Sequence, residues 1–104
     1  MGMVNNIDDA TLTVSSTAIT LTSGSPTLEA CRAAGAKHAI IYVVSGAGGM
    51  YVSEDGNDAA SGDAIAYPGD ILEYTDGVSQ ISILERLSFL RVTNDVALSI
   101  KYYD

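Results

Sequence analysis

Residues 53–63 read SEDGNDAASGD, with four acidic side chains, an asparagine and two glycines in eleven positions. Oxygen donors at that density are what a calcium ion takes as ligands. An EF-hand loop needs oxygens at positions 1, 3 and 5, glycine at 6 and a bidentate glutamate at 12. Starting from Asp55, Asn57 falls at position 3, but Ala59, Ala60 and Ala66 occupy 5, 6 and 12, so the frame fails. A start at Asp58 fails as well, because Ala60 and Gly62 take positions 3 and 5. The residues left for a looser calcium cage are Asp55, Asn57, Asp58 and Asp63. Turn chemistry accounts for the same stretch: Asp55-Gly56 begins one reversal and Ser61-Gly62-Asp63 makes a second. We therefore read the segment as a loop and expect no resident metal or cofactor.

The remaining candidates for chemistry stand alone. His38 has no second histidine or cysteine beside it and reads as a hydrogen-bonded structural residue. Cys31 is the one cysteine, which excludes an intrachain disulfide, and it reads as a small buried hydrophobe. SGAGGM (Ser45 to Met50) has the glycine content of a phosphate loop, but it lacks the Lys-Ser/Thr pair and joins strand to strand. Tyr42, Tyr51, Tyr67 and Tyr74 could line a sugar platform, although tyrosine is also an ordinary strand residue and the chain has no tryptophan. Nothing selects a carboxylate pair for acid–base work. No catalytic constellation is present, and the chain is read as non-enzymatic.

Composition narrows the partners. Thirteen acids against five bases give a net charge of −8, which repels phosphates and argues against nucleic acid. The acids are also unevenly spread, since more than half lie between Lys37 and Arg86, where no Lys or Arg occurs. The longest apolar run, HAIIYVV, is far short of the roughly 20 residues of a membrane helix. The opening MGMVNNIDDATLTV lacks the basic and apolar regions of a signal peptide. These features lead us to expect a soluble protein made in a cytoplasm.

The elements that must position these residues are mostly strands. Residues 1–10 show no sustained period and are expected as an extended arm, leaving residues 11–104 as a single domain. TLTV (11–14) and AITLT (18–22) alternate at period two. Ser25 as N-cap, Pro26 at the first helical position and Gly35 past the end predict one short helix over Pro26 to Ala34. Within it Leu28 and Cys31 face the core, and the stem of Arg32 covers their edge. KHAIIYVVS is continuously apolar and predicts a central strand buried on both faces. GAGG predicts a hairpin turn into MYVSE, DAIAY another strand, and Tyr67-Pro68-Gly69-Asp70 a type II turn into ILEY. Ile81, Leu84 and Leu87 suggest one helical turn, after which LSFLRVT and VALSIKYY predict a terminal hairpin closed at Asn94 and Asp95. The total is about seven to eight short strands, the pattern of a single antiparallel β-sandwich or small barrel with one helix.

Taken together, AKHAIIYVVSGAGGMYVSEDGNDAASGDAIAYPGDILEY and LSFLRVTNDVALSIKYYD resemble the small structural proteins encoded beside capsid genes in tailed bacteriophages. The resemblance runs from Ala36 to Asp104. It rests on an Ala-led long strand, the Asp55-Gly56 turn, Gly69-Asp70 before a strand, Phe89-Leu90-Arg91-Val92, and Leu98 to Tyr103. Such proteins often carry an arginine in the second strand. GGMYV stands there instead, so no role for that residue carries over. The resemblance implies a β-sandwich that decorates or cements the outer surface of a virion shell, with the major capsid protein as partner and a symmetric dimer or trimer as the working form. An arm bearing Met1, Met3, Val4 and Ile7 is the candidate contact, adding to a neighbour's sheet. The alternatives are a head–tail or tail subunit and, in a different class, a calcium- or carbohydrate-binding module.

Overall fold

The computed structural model describes residues 5–76 and 82–104. Seven strands form two antiparallel sheets: β1 (Asn6–Val14), β2 (His38–Ser45), β3 (Met50–Ser53), β4 (Ala64–Ala66), β5 (Ile71–Thr75), β6 (Ser88–Arg91) and β7 (Val96–Tyr103). One sheet has the order β1-β7-β2-β5 and the other β4-β3-β6. Helices α1 (Leu28–Ala33) and α2 (Ile83–Arg86) and a 3₁₀ turn at Leu21–Ser23 complete the described chain. The fold is mainly β and sandwich-like, as the strand count and turn spacing predict.

The core follows from period-two alternation on β7, where Val96, Leu98, Ile100 and Tyr102 are buried and the residues between them are not. Register carries this layer across the sheet. Leu12, Leu98 and Val43 lie in one row, and Ala10, Ile100, Ile41 and Leu72 in the next. Tyr102 and Tyr74 flank Ala39 in a third, where the small side chain leaves room for two rings. Phe89 and Met50 from the second sheet, with Leu21, Leu28, Leu84 and Leu87 from the connections, cover these rows and are fully buried. Each such side chain contributes about 1.5–3 kcal/mol of burial free energy.

Helix α1 starts two residues later than predicted. Ser25 exchanges backbone hydrogen bonds with Thr11 (3.0 and 3.1 Å), which holds it extended, so Thr27 becomes the N-cap and its hydroxyl accepts the Ala30 N–H at 3.2 Å. The C-terminus is as expected. Gly35, at φ +109, and Ala36 donate to the Arg32 and Cys31 carbonyls at 3.0 Å each, a Schellman closure in which glycine meets no Cβ penalty. Leu28 and Cys31 are buried, while Arg32 reaches across to pair with Glu85. In α2 the Ser82 hydroxyl caps Leu84 N–H, and Leu84 and the following Leu87 are buried. Ile81 lies outside the described residues.

Three expectations about strands are corrected. Asn6–Ala10 are not an arm but the first half of β1: Ala10 is buried, half-buried Ile7 packs against the core, and Asp8 and Asp9 pair with Tyr102 and Lys101 across the ladder. Met1, Met3 and Val4 lie outside the described residues. Ala18–Thr22 is no strand; only Ile19 pairs, exchanging bonds with Phe89 at 2.8 and 2.9 Å, before the chain coils into the 3₁₀ turn that buries Leu21. β2 is central but buried on one face, because its other side, with Ile40, Tyr42 and exposed Val44, is the outer surface of the sandwich.

GAGG and the Asn94-Asp95 connection are not hairpins. β2 already pairs with both β5 and β7, so β3 has no place beside it and crosses to the other sheet; β6 and β7 likewise belong to different sheets. The two corners pack on each other. Thr93 Oγ1 and Asn94 Nδ2 donate to the Ala47 carbonyl at 3.2 and 3.1 Å, and Val92 N–H donates to Gly49 O at 3.1 Å. Gly49 makes this crossing possible, since its φ is +76 and a Cβ there would stand 2.4 Å from the Ala66 carbonyl oxygen.

Two stability measurements test this packing. Gly49→Ala combines a left-handed backbone with a backbone clash. Gly62→Ala, at φ +105 with nothing within 4 Å, carries the backbone strain alone. Denaturant titration should show a loss of about 1–2 kcal/mol for Gly62→Ala and a further loss of about 1–3 kcal/mol for Gly49→Ala. Tyr102 should behave in the opposite sense. Its ring is fully buried, and its hydroxyl finds no hydrogen-bond partner among the described residues. Burial first, and then the neighbouring Cys31, push its phenol above the ordinary 10.0. Tyr102→Phe removes an unsatisfied group and is expected to leave stability unchanged or raise it by about 1 kcal/mol; a clear loss would reveal a bonded hydroxyl.

Candidate functional site

The acidic loop is held by its own carboxylates. Asp55 Oδ1 accepts the Ser53 hydroxyl at 2.7 Å and the Asn57 N–H at 3.0 Å, building a turn through Gly56, whose φ is +91. Asp63 Oδ2 accepts the Ala60 N–H at 2.9 Å, and its own N–H returns to Ala60 O at 3.1 Å. Between these turns Ala59 is buried, and its N–H donates to Ser88 Oγ at 2.9 Å. Ser53 and Ser88 face each other across the β3–β6 ladder on its outer face, and the loop folds down to cover both. Among the described residues no group of three or more His, Cys, Asp or Glu side chains is arranged to hold a metal ion. Asp55 and Asp63, two of the residues of the loose calcium cage, spend oxygens on separate turns, and Asp58 is exposed.

The other sequence-selected residues are scattered. His38 lies on the outer face of β2, where its Nδ1 bonds Thr75 Oγ1, its Nε2 stands 3.6 Å from Glu73, and its ring meets Tyr103 edge-on at 6.0 Å. This is a cross-strand cluster on the outer surface of the sheet, away from the cleft between β4 and β5. Cys31 is buried in the core, and burial, with a smaller contribution from Asp8, pushes its thiol up, away from the reactive thiolate. The four candidate tyrosines form no platform: Tyr42 and Tyr51 belong to the outer faces of opposite sheets, Tyr67 sits at the β4–β5 corner, and Tyr74 turns inward.

The structure brings together a different set. Between β4 and β5, where the two sheets part, lies a cleft of about 160 Å³ lined by Val52, Glu54, Ala64, Ile65, Ala66, Leu72 and Tyr74. It exists because Ala64 and Ala66, opposite Val52 and Met50 in the ladder, are too short to fill the space toward Leu72 and Tyr74. The Tyr74 phenol is pushed above the ordinary 10.0 by burial first, then by its bond to Glu54 and that carboxylate's charge. The exposed large apolar side chains flank this cleft on two sides, Ile71 and Val44 on the outer face of the larger sheet, Ile65 on that of the smaller and Tyr67 in the turn between them. Ile71 and Val44 are each 61% exposed, Tyr67 52% and Ile65 39%. Gly69 N–H and Asp70 O bond Val43 at 2.8 and 3.0 Å, which brings the Tyr67–Asp70 turn against the end of β2. Nothing in the spacing of these residues marks the cleft, because β4 and β5 belong to different sheets. The one sequence signal is the run of small side chains from Ala59 to Ala66.

The arrangement is a mostly apolar hollow with the Glu54 carboxylate and the Tyr74 phenol at its wall. A pH titration probes two carboxylates that hold the chain outside this cleft. The Asp55 carboxyl is held below the ordinary 3.8, chiefly by the Asn57 N–H; Asp104, which accepts the Asn5 backbone and side-chain N–H groups at 2.8 and 3.2 Å, is lowered likewise. Because folding depresses both values, their stabilisation is complete above 3.8 and is lost as pH falls through the folded-state values. Amide exchange should show Asn57 and Asn5 losing protection below pH 3.8 while Ile100 in the core keeps its own. Comparison with family models, with curated proteins and with solved structures returned no match, so the functional reading rests on this geometry and on the sequence.

Proposed function

We propose that this chain is a non-enzymatic virion structural protein that binds the outer surface of a phage capsid as a decoration or cement protein and stabilises the shell. The observation that carries the reading is the exposed apolar pair Val44 and Ile71, each 61% exposed on the outer face of the larger sheet where β2 and β5 meet, on a small acidic sandwich. Neighbouring solvent-facing apolar side chains of this kind mark a contact surface. The sequence resemblance to small capsid-associated phage proteins gives that surface a partner, the major capsid protein. A symmetric dimer or trimer would present the surface several times, and repetition over a lattice multiplies weak contacts by about 10²–10⁴. No reaction is required for such a role.

Purified protein added to shells from which it has been removed should co-sediment with them and raise their melting temperature. The double variant Val44→Asp, Ile71→Asp should keep its own melting temperature within a few degrees and lose at least about tenfold in shell binding, since each charge must be desolvated in the contact. Failure of the unaltered protein to bind shells would overturn the reading.

A further inference from the structure

β5 ends one sheet and β4 the other, and among the described residues neither strand is paired on its outer side. The two open edges are joined by the Tyr67–Asp70 turn, with the cleft between them. The other end strands are partly covered, β1 by the bridge of Thr11 to Ser25 and β6 by that of Phe89 to Ile19. Edge strands are normally blunted by lysine, proline or a bulge. β5 reads ILEYT and has neither lysine nor proline, and its ladder with β2 is unshifted from Ile71 to Thr75.

The ladder sets which backbone groups are free. Val43 N–H donates to Asp70 O at 3.0 Å, and Asp76 N–H to Lys37 O at 2.8 Å. Alternation between these points turns the N–H and C=O groups of Ile71, Glu73 and Thr75 away from β2. These edge groups lie beside the cleft wall made by Leu72 and Tyr74.

We propose that β5 accepts an extended strand from a cationic partner chain. Backbone bonds to Ile71, Glu73 and Thr75 would hold it, as in strand addition generally. Its inward side chains would enter the cleft, whose volume is close to the roughly 150 Å³ of an apolar hollow that takes up benzene. Its outward side chains would stand beside Ile71 and Glu73, and the charge pattern selects their type. Glu73 is 60% exposed and stands 3.6 Å from His38, Asp63 and Asp70 immediately precede β4 and β5, and Glu54 lines the cleft. Residues 38–85 contain no Lys or Arg; of the five bases Arg32, Arg91 and Lys101 are paired with Glu85, Asp95 and Asp9, the charge of Lys37 acts on Asp104, and Arg86 closes α2. A second copy of a chain carrying −8 would set acid against acid. A strand with Lys or Arg on its outer face and Val or Leu on its inner face meets both requirements.

The inference shares with the proposed function the premise that the chain works through protein contacts, and two assays keep their failures apart. The probe for the edge is a blocked peptide of about seven residues, slightly longer than a mean strand, with lysine alternating with valine or leucine. Its addition should shift the amide resonances of Ile71, Glu73 and Thr75. Replacing its lysines by glutamate, or Glu73→Lys in the protein, should weaken binding at least about tenfold. N-methylation of its pairing amides should abolish binding, as should Ile71→Pro, which removes an outward N–H from an edge position that tolerates proline. No shift at millimolar peptide, shifts confined elsewhere, or equal binding of the N-methylated peptide would overturn the proposal, and so would self-association through β5. Shells that bind the unaltered protein, while the peptide gives no shift at Ile71, Glu73 and Thr75, would overturn the edge and leave the decoration reading standing. Shells that do not bind the unaltered protein, while the peptide binds at β5, would do the reverse.

Discussion

β7 is bonded along both of its sides, to β1 and to β2, and its inward Leu98, Ile100 and Tyr102 occupy the middle of the three rows of the larger sheet. A strand saturated in this way admits no further neighbour, so β6, its predecessor in the chain, must lie in the opposite sheet. The same constraint acts on β2, which has β7 on one side and β5 on the other and so forces β3 across. The sandwich is a consequence of these two saturated strands. Once β3 and β6 have been expelled they pair with each other, and Met50 and Phe89 close over the rows that β7 organises.

The crossings set the character of the two ends. At one corner Ala47 accepts from Thr93 and Asn94, which ties two connections together and leaves little backbone unpaired. At the β4–β5 side the closure is incomplete. Alanines stand where larger residues would bridge the sheets, and the result is a cleft, two open edges and a group of exposed apolar side chains. Small side chains and unpaired edges lower the fold's own burial there, and they are also what a protein partner can use. The acids divide along the same line. Those at Asp55 and Asp63 shape a loop that seals Ser53 and Ser88, whereas Glu54 lines the cleft and Glu73 lies on the outer face of β5.

Much of this was legible residue by residue. VALSIKYY announced a half-buried strand, Gly35 the end of a helix, Pro68-Gly69 a turn, and the spacing of donors in SEDGNDAASGD ruled out an EF-hand. Each of those signals is local, carried by side-chain alternation or by the φ that one residue tolerates. The errors share an opposite cause. KHAIIYVVS is apolar throughout, yet half of it faces outward, because apolarity does not say which side of a sheet will be covered. AITLT alternates like a strand, but one bridge to Phe89 and the burial of Leu21 took precedence. Asn6–Ala10 lacked a clear period and still paired, since β7 supplied the partner backbone.

The sequence by itself determined a β-rich domain, the places where its chain must reverse, the acidic excess, and the absence of a spaced metal or nucleophile motif. Tertiary structure alone decided which strands are partners, that GAGG and Asn94-Asp95 are corners between sheets, and that Val52, Glu54, Leu72 and Tyr74 meet around one cleft. The reason is physical: turn and strand preferences act over a few neighbouring residues, whereas sheet membership depends on which edges distant strands have already filled.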